Sequence, residues 1–225
     1  MIPVRTKIIN FLRPNAQVCW SQEGEDLILD KLFNHCPHGF YVDVGAYHPR
    51  RFSNTYLFYR KGWRGINIDA TPNSMEIFNR IRPEDTNIET GIGTQEGSLR
   101  FFMFSEPGLN TFSRERVQVL ETRHIHPTHT IDVPVMTLGK VLHQHIPAHQ
   151  EIDFLTIDVE TRDEDVLRSN DWTRFKPKCV LFECLENSIT QVIQSPIVQF
   201  MEQQGYTLWA KTYNTVFMVQ PELYS

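Results

Sequence analysis

The chain has 225 residues, of which 40% are hydrophobic and 22% charged, with a formal net charge of −5. This is the composition of an ordinary globular domain with enough chain to bury a substantial core. The acid excess excludes the basic surface that a nucleic-acid partner requires, and no apolar run reaches the roughly 18 residues of a membrane-spanning helix.

Residues 1–20 read as an N-terminal arm. Its opening, MIPVRTKIINFL, is too short and too interrupted for a signal peptide. A packing arm is the expectation, with peripheral membrane contact as the alternative. Cys19, Cys36, Cys179 and Cys184 lack zinc-type spacing. They read as reduced thiols of a cytoplasmic protein, and Cys179 and Cys184 differ in strand parity, so they should face opposite sides.

A helix from Asp26 to about Phe33 follows, with Leu27, Ile28, Leu29, Leu32 and Phe33 on its buried face and Ser21 and the nearby acids at its start. Gln22 is placed to cover a ligand from above the first strand. That strand, Phe40–Val44, carries Asp43 and runs into the small residues Gly45 and Ala46. A buried acid followed by a tight turn is what a nucleoside cofactor needs at the first strand of an open α/β sheet. Tyr47, His48 and Pro49 stand where a dinucleotide fold wants further glycines, which favours a mononucleoside over NAD. Ser53, Asn54 and Thr55 open a helix running to Lys61, and their free N–H groups suit a carboxylate. The second strand, Trp63–Ala70, ends in Asp69, 26 residues after Asp43, which fits one strand–helix–strand unit and a carboxylate poised over ribose hydroxyls. An acid–x–Gly turn with a second-strand acid is the pattern that S-adenosylmethionine-dependent methyltransferases present. Ala70 follows on that tip.

Beyond a helix at Ser74–Ile81, closed by Arg82–Asp85, a third strand spans Asn87–Gly93, and its Thr90–Gly91 turn should lie beside an adenine. An extra strand covers Leu99–Phe104. Residues 105–130 show no regular pattern and read as a lid or substrate loop. Then come a strand at Ile131–Val135, a helix at Leu138–His145 capped by Thr137, a strand at Ile152–Asp158 and a helix at Asp163–Ser169. A strand at Pro177–Glu183, a helix at Ile189–Gln204 and a hairpin of Tyr206–Ala210 with Thr215–Val219 complete the order. The alternation predicts an α/β fold from residue 21 to 225, a mostly parallel seven-stranded sheet with an antiparallel C-terminal hairpin strand and helices on both faces. Asp158, Glu160 and Glu183 converge at the carboxyl ends of neighbouring strands. Such a set suits Mg²⁺ or one general base of raised pKa. His48, just past the first turn, is the rival base.

Six motifs carry a resemblance to the FkbM-type methyltransferase family: SQEGEDL (Ser21–Leu27), the segment Gly39–Pro72, LNTF (Leu109–Phe112), EIDFLTIDVE (Glu151–Glu160), SNDW (Ser169–Trp172) and AKTYNTV (Ala210–Val216). The resemblance implies a class I methyltransferase fold, Rossmann-like, with S-adenosylmethionine as donor and a hydroxyl acceptor, often on a sugar of a glycan or glycosylated metabolite. It implies that Asp43, Gly45 and Ala46, with Tyr47 beside them, hold the methionyl part, Asp69 the ribose, and Thr90 with Gly91 the adenine. One departure stands out: where the family has acid–x–Glu–Gly, this chain has Asp158-Val159-Glu160-Thr161. A non-catalytic cofactor-binding member, or a nicotinamide-dependent oxidoreductase, is the alternative expectation, and an oligomer is compatible with either.

Overall fold

A computed structural model describes residues 16–186 and 188–223. Most of the expected N-terminal arm, with its membrane-contact alternative, lies outside the described residues. The described chain starts on a lead-in that meets α1 (Glu25–Leu32). There follow β1 (Phe40–Val44), α2 (Tyr56–Arg60), β2 (Arg64–Asp69), α3 (Ser74–Ile81), β3 (Thr86–Glu89), β4 (Gly91–Ile92) and β5 (Gly97–Met103). Next come α4 (Arg114–Glu121), β6 (His129–Met136), α5 (Leu138–His145), β7 (Phe154–Ile157), α6 (Asp163–Arg168) and β8 (Cys179–Glu183). The last elements are α7 (Ile189–Gln194), α8 (Pro196–Gln203), β9 (Thr207–Lys211) and β10 (Thr215–Val219).

Seven strands form the main sheet in the order β3-β2-β1-β7-β8-β10-β9. The first five are mutually parallel, and β10 runs antiparallel between β8 and β9. The order reverses between β1 and β7, so a crevice opens at their carboxyl ends. This is the mostly parallel sheet that the alternation predicts, in the class I methyltransferase architecture that the resemblance implies.

Side-chain alternation sends each strand to both faces. Val42, Val44, Ile66, Ile68, Leu155, Val180 and Phe182 pack beneath Leu138 and Val141 of α5, Val166 of α6, Val192 of α7 and Met201 of α8. On the other face Tyr41, Phe154 and Leu181 meet Leu29 of α1, Phe58 of α2 and Trp63. Each cluster buries about 1.5–3 kcal/mol per large side chain relative to exposure. Cys179 and Cys184 fall in opposite clusters, as their parity requires.

Three expectations need correction. The third strand is split: Thr90 breaks it, and β4 pairs in a separate three-stranded sheet, β4-β6-β5. The segment 105–130 is not wholly irregular. It holds a short 3-10 turn, Pro107–Leu109, and α4, whose start is capped by Ser113 accepting from the Arg116 N–H. The long helix at Ile189–Gln204 is two helices. Ser195 is extended, and Pro196 opens α8 at a position where its missing N–H costs nothing.

The N-terminal lead-in clasps the C-terminal hairpin. Glu23 accepts from the Asn214 backbone N–H and from Asn214 Nδ2, both at 2.8 Å. The buried Glu25 takes the hydroxyls of Thr212 and Thr215 at 3.3 Å.

Candidate functional site

A cleft of about 830 Å³ opens at the carboxyl ends of β1, β2, β7 and β8, within the size range of small-molecule sites. Its floor is the turn after β1. Gly45 has φ +81, and a Cβ there would stand 1.8 Å from the Asp158 carbonyl oxygen, so only glycine fits. The Gly45 and Ala46 N–H groups both donate to the Ile68 carbonyl, at 2.9 and 3.1 Å, which locks the turn onto β2.

Two aspartates flank that turn. Asp69 accepts from the Tyr47 N–H at 2.9 Å and the Thr71 N–H at 2.7 Å, one on each oxygen. Each oxygen keeps a lone pair for a further donor. Burial raises its pKa, and the two amides hold it down. Asp43 accepts from Thr55 Oγ1 at 2.7 Å. Burial pushes its pKa up to about 6. Both carboxylates line the one cleft, together with Gln22, Ala46, Tyr47, Asn54, Ala70, Thr90 and Gly91.

Asp158, Glu160 and Glu183 line the same cleft, but they do not form a metal set. Among the described residues, no group of three or more His, Cys, Asp or Glu side chains is placed to hold a metal ion. Glu160 is engaged by Arg116 Nε at 2.9 Å. Its backbone carbonyl accepts from Thr111 Oγ1 at 3.2 Å. Asp158 opens on the cleft and is raised chiefly by the surrounding protein. Glu183 is pushed up to about 7 by burial and then by the charges of Asp158 and Glu160, with Arg116 opposing.

Two expected residues lie elsewhere. His48 is absent from the cleft lining. Its Nδ1 accepts from the Arg50 and Arg51 N–H groups at 3.0 Å, so it caps a turn, and burial with those two arginines lowers its pKa. Ser53 is buried behind α2, where its Oγ accepts from the Tyr56 N–H at 3.1 Å.

Sequence reading expected a lid or substrate loop at residues 105–130 and named none of its residues for the site. The segment after β5 arches over the cleft: Glu106 accepts from the Tyr47 hydroxyl at 2.7 Å, and Asn110 Nδ2 donates to Thr71 Oγ1 at 3.2 Å. Phe112 packs against Gly91, where an added Cβ would lie 2.6 Å from its ring, and meets Phe101 in a tilted contact at 4.6 Å between centroids. The LNTF motif was the available signal, since its Asn, Thr and Phe make these contacts.

The cleft fits S-adenosylmethionine on its own chemistry. It offers an acid with open lone pairs at the second strand tip, an acid at the first, and an aromatic wall beside the Thr90–Gly91 turn.

No curated protein gives a significant match. Solved structures that resemble the chain include a TehB-like SAM-dependent methyltransferase from Corynebacterium glutamicum, 11% identical over 96% of this chain and 95% of that one, with a TM-score of 0.42. A putative RNA methyltransferase from Pyrococcus horikoshii is 9% identical over 97% and 99%, with a TM-score of 0.45. An O-methyltransferase from Bacillus cereus, in complex with SAH, is 11% identical over 98% and 93%, with a TM-score of 0.41. These likenesses are loose, and the assignment rests on a family match. The family described as Methyltransferase FkbM domain matches residues 43–208. That match runs from the acid of β1 into β9, so the chain belongs to the FkbM family of S-adenosylmethionine-dependent methyltransferases.

Proposed function

We propose that the protein is an O-methyltransferase acting on a hydroxyl of a sugar, in a glycan or a glycosylated small molecule. The observation that carries the donor half of this reading is the pair of aspartates, Asp43 and Asp69, opening on one cleft from adjacent strand tips with the Gly45–Ala46 turn between them, and the sugar acceptor is what the family resemblance implies. In this reading Asp69 takes the ribose hydroxyls, Asp43 faces the amino-acid end of the donor, and Thr90, Gly91 and Phe112 border the adenine. S-adenosylmethionine supplies a methyl group already activated on a sulfonium. The chain's part is therefore alignment, which can contribute on the order of 7–11 kcal/mol, and removal of the hydroxyl proton.

A sugar hydroxyl needs a base to lose that proton. Glu160 is tied to Arg116, and His48 is turned away. Glu183 lines the cleft, its side chain makes no hydrogen bond among the described residues, and its pKa of about 7 suits proton transfer at neutral pH. Asp158 stands beside it and keeps that pKa high. Glu183 is accordingly the base in this reading, and Asp158 its electrostatic partner.

Isothermal titration with S-adenosylhomocysteine tests the cofactor half. Asp69→Ala should weaken binding ten- to a hundred-fold, since a hydrogen bond to a charged group contributes roughly 1.5–3 kcal/mol. Unchanged affinity in that variant removes the ribose role. Incubation with S-adenosylmethionine and a panel of free sugars and glycosides tests the acceptor half, with methylated product sought by mass spectrometry.

A further inference from the structure

A charged network lies under the cleft floor. Arg82, fully buried, donates from Nε to Asp85 at 2.9 Å and from Nη2 to the Tyr41 hydroxyl and to Thr55 Oγ1, each at 2.9 Å. Its Nη1 reaches Ser53 Oγ at 3.4 Å and the Pro49 carbonyl at 3.5 Å. Asp85 in turn accepts from the Gly65 N–H and from Asn67 Nδ2, both at 3.0 Å. Arg82 and Asp85 therefore neutralise each other inside a hydrogen-bonded cage that joins β1, β2, the start of α2 and the turn after α3.

One bond leads from the cage toward the cleft. Thr55 accepts from Arg82, and a threonine hydroxyl has a single proton to give. That proton goes to Asp43 Oδ2 at 2.7 Å. The other oxygen, Oδ1, makes no hydrogen bond among the described residues, and Asp43 lines the cleft. Among the described residues no cation pairs with Asp43: the Arg82 guanidinium is one hydroxyl away and already paired with Asp85. A buried carboxylate with one oxygen unpaired and no counter-charge in contact is costly. A cation arriving from the cleft side would remove that cost.

We propose that Arg82, acting through Thr55, is a positioning residue that holds Asp43 with Oδ2 turned inward and Oδ1 presented to the ammonium of the donor's amino-acid end. The relay rests on the methyltransferase reading above. It gives a buried arginine, remote from the cleft surface, a share in binding one end of the ligand and none in the other. Among the groups around Asp43, Arg82 and Thr55 favour its ionised form, while burial and the charges of Asp158 and Asp69 oppose it.

The test uses two ligands and calorimetry. S-adenosylhomocysteine carries the amino-acid tail; 5′-methylthioadenosine keeps adenine, ribose and sulfur but lacks it. Thr55→Val preserves shape and removes the relay. It should lose about tenfold in affinity for S-adenosylhomocysteine and nothing for methylthioadenosine, and Thr55→Ser should restore the difference. Retained methylthioadenosine binding also certifies that the variant is folded. Equal losses for both ligands would mean that the hydroxyl only supports the fold, and no loss for either would mean that the relay is idle. Each overturns the proposal. If Thr55→Val binds neither ligand, Thr55→Ala is measured in its place, and loss of both there overturns the proposal too. Arg82→Gln should repeat the selective loss; full affinity for S-adenosylhomocysteine in it removes the guanidinium's part, and if it does not fold, Thr55→Val decides. Failure of the unsubstituted protein to bind either ligand removes the cofactor reading, and the relay with it.

Discussion

The turn after β7 contains two consecutive non-glycine residues in the left-handed region, Glu160 at φ 53 and Thr161 at φ 79. Thr161 occupies the place where the family motif has glycine, and it has kept glycine's backbone. For a β-branched residue this conformation is an outlier. Thr161 is exposed and its side chain makes no hydrogen bond among the described residues, so no such bond offsets the strain. An L-residue held left-handed costs about 1–2 kcal/mol. Replacement by glycine removes that cost but loosens the unfolded chain, which returns roughly 0.4–1 kcal/mol. Thr161→Gly should therefore stabilise the protein by about 0.5–1 kcal/mol. For a chain of this size that raises Tm by about 2 °C. Thr161→Ala is the control: it keeps a Cβ and so should stay within about 0.5 kcal/mol of the parent. Urea unfolding followed by circular dichroism measures all three proteins. A lower midpoint for glycine than for threonine, or an equal gain from alanine, refutes the strain argument.

Gly45→Ala should be the opposite case, because its Cβ would stand 1.8 Å from the Asp158 backbone carbonyl oxygen, which has no freedom to swing aside, and φ is +81. A loss of more than about 3 kcal/mol is expected from overpacking and left-handed strain together, read as a collapse of the urea midpoint. Burial holds the Glu183 proton to about 7, against an ordinary value of 4.5. The folded protein thus binds that proton more tightly than the unfolded chain, and the resulting stability is full below about 4.5 and lost as pH rises through about 7. Glu183→Gln should accordingly raise the urea midpoint relative to the parent at pH 8 and do so much less at pH 5; an equal effect at both values would show that Glu183 titrates normally.

Much of the fold was legible because apolar β-rich runs are short and bounded by turns. Phe40–Val44 and Cys179–Glu183 announce buried strands by composition alone, and Thr137 marks the start of α5 by its place before an apolar stripe. α4 was harder to see. Its sequence RERVQVLE buries only Val117 and Leu120, so the helical period hardly stands out. The break at Ser195 was readable in principle, since a proline inside a helical pattern ends it or starts another. The paired acids of the cleft follow from strand-tip positions, which sequence order fixes. Arg82 does not, because its partners Tyr41, Thr55 and Asp85 are gathered from three segments. Nor does the loss of His48 from the cleft, which depends on which way its ring faces once two amides claim Nδ1.

The position of β10 has a consequence for the nascent chain. Ribosomal synthesis delivers β9 first, yet among the described residues β9 pairs only with β10, which slots in between it and β8. Until that later strand emerges, β9 is an orphan with Trp209 on show, and the flank of the sheet at β8 lies open to any passing edge. The Glu23 and Glu25 clasp cannot close either, because Asn214 and Thr215 arrive with the same stretch. Maturation of this domain is consequently an end-loaded event: one late insertion seals the sheet and ties its two extremities together.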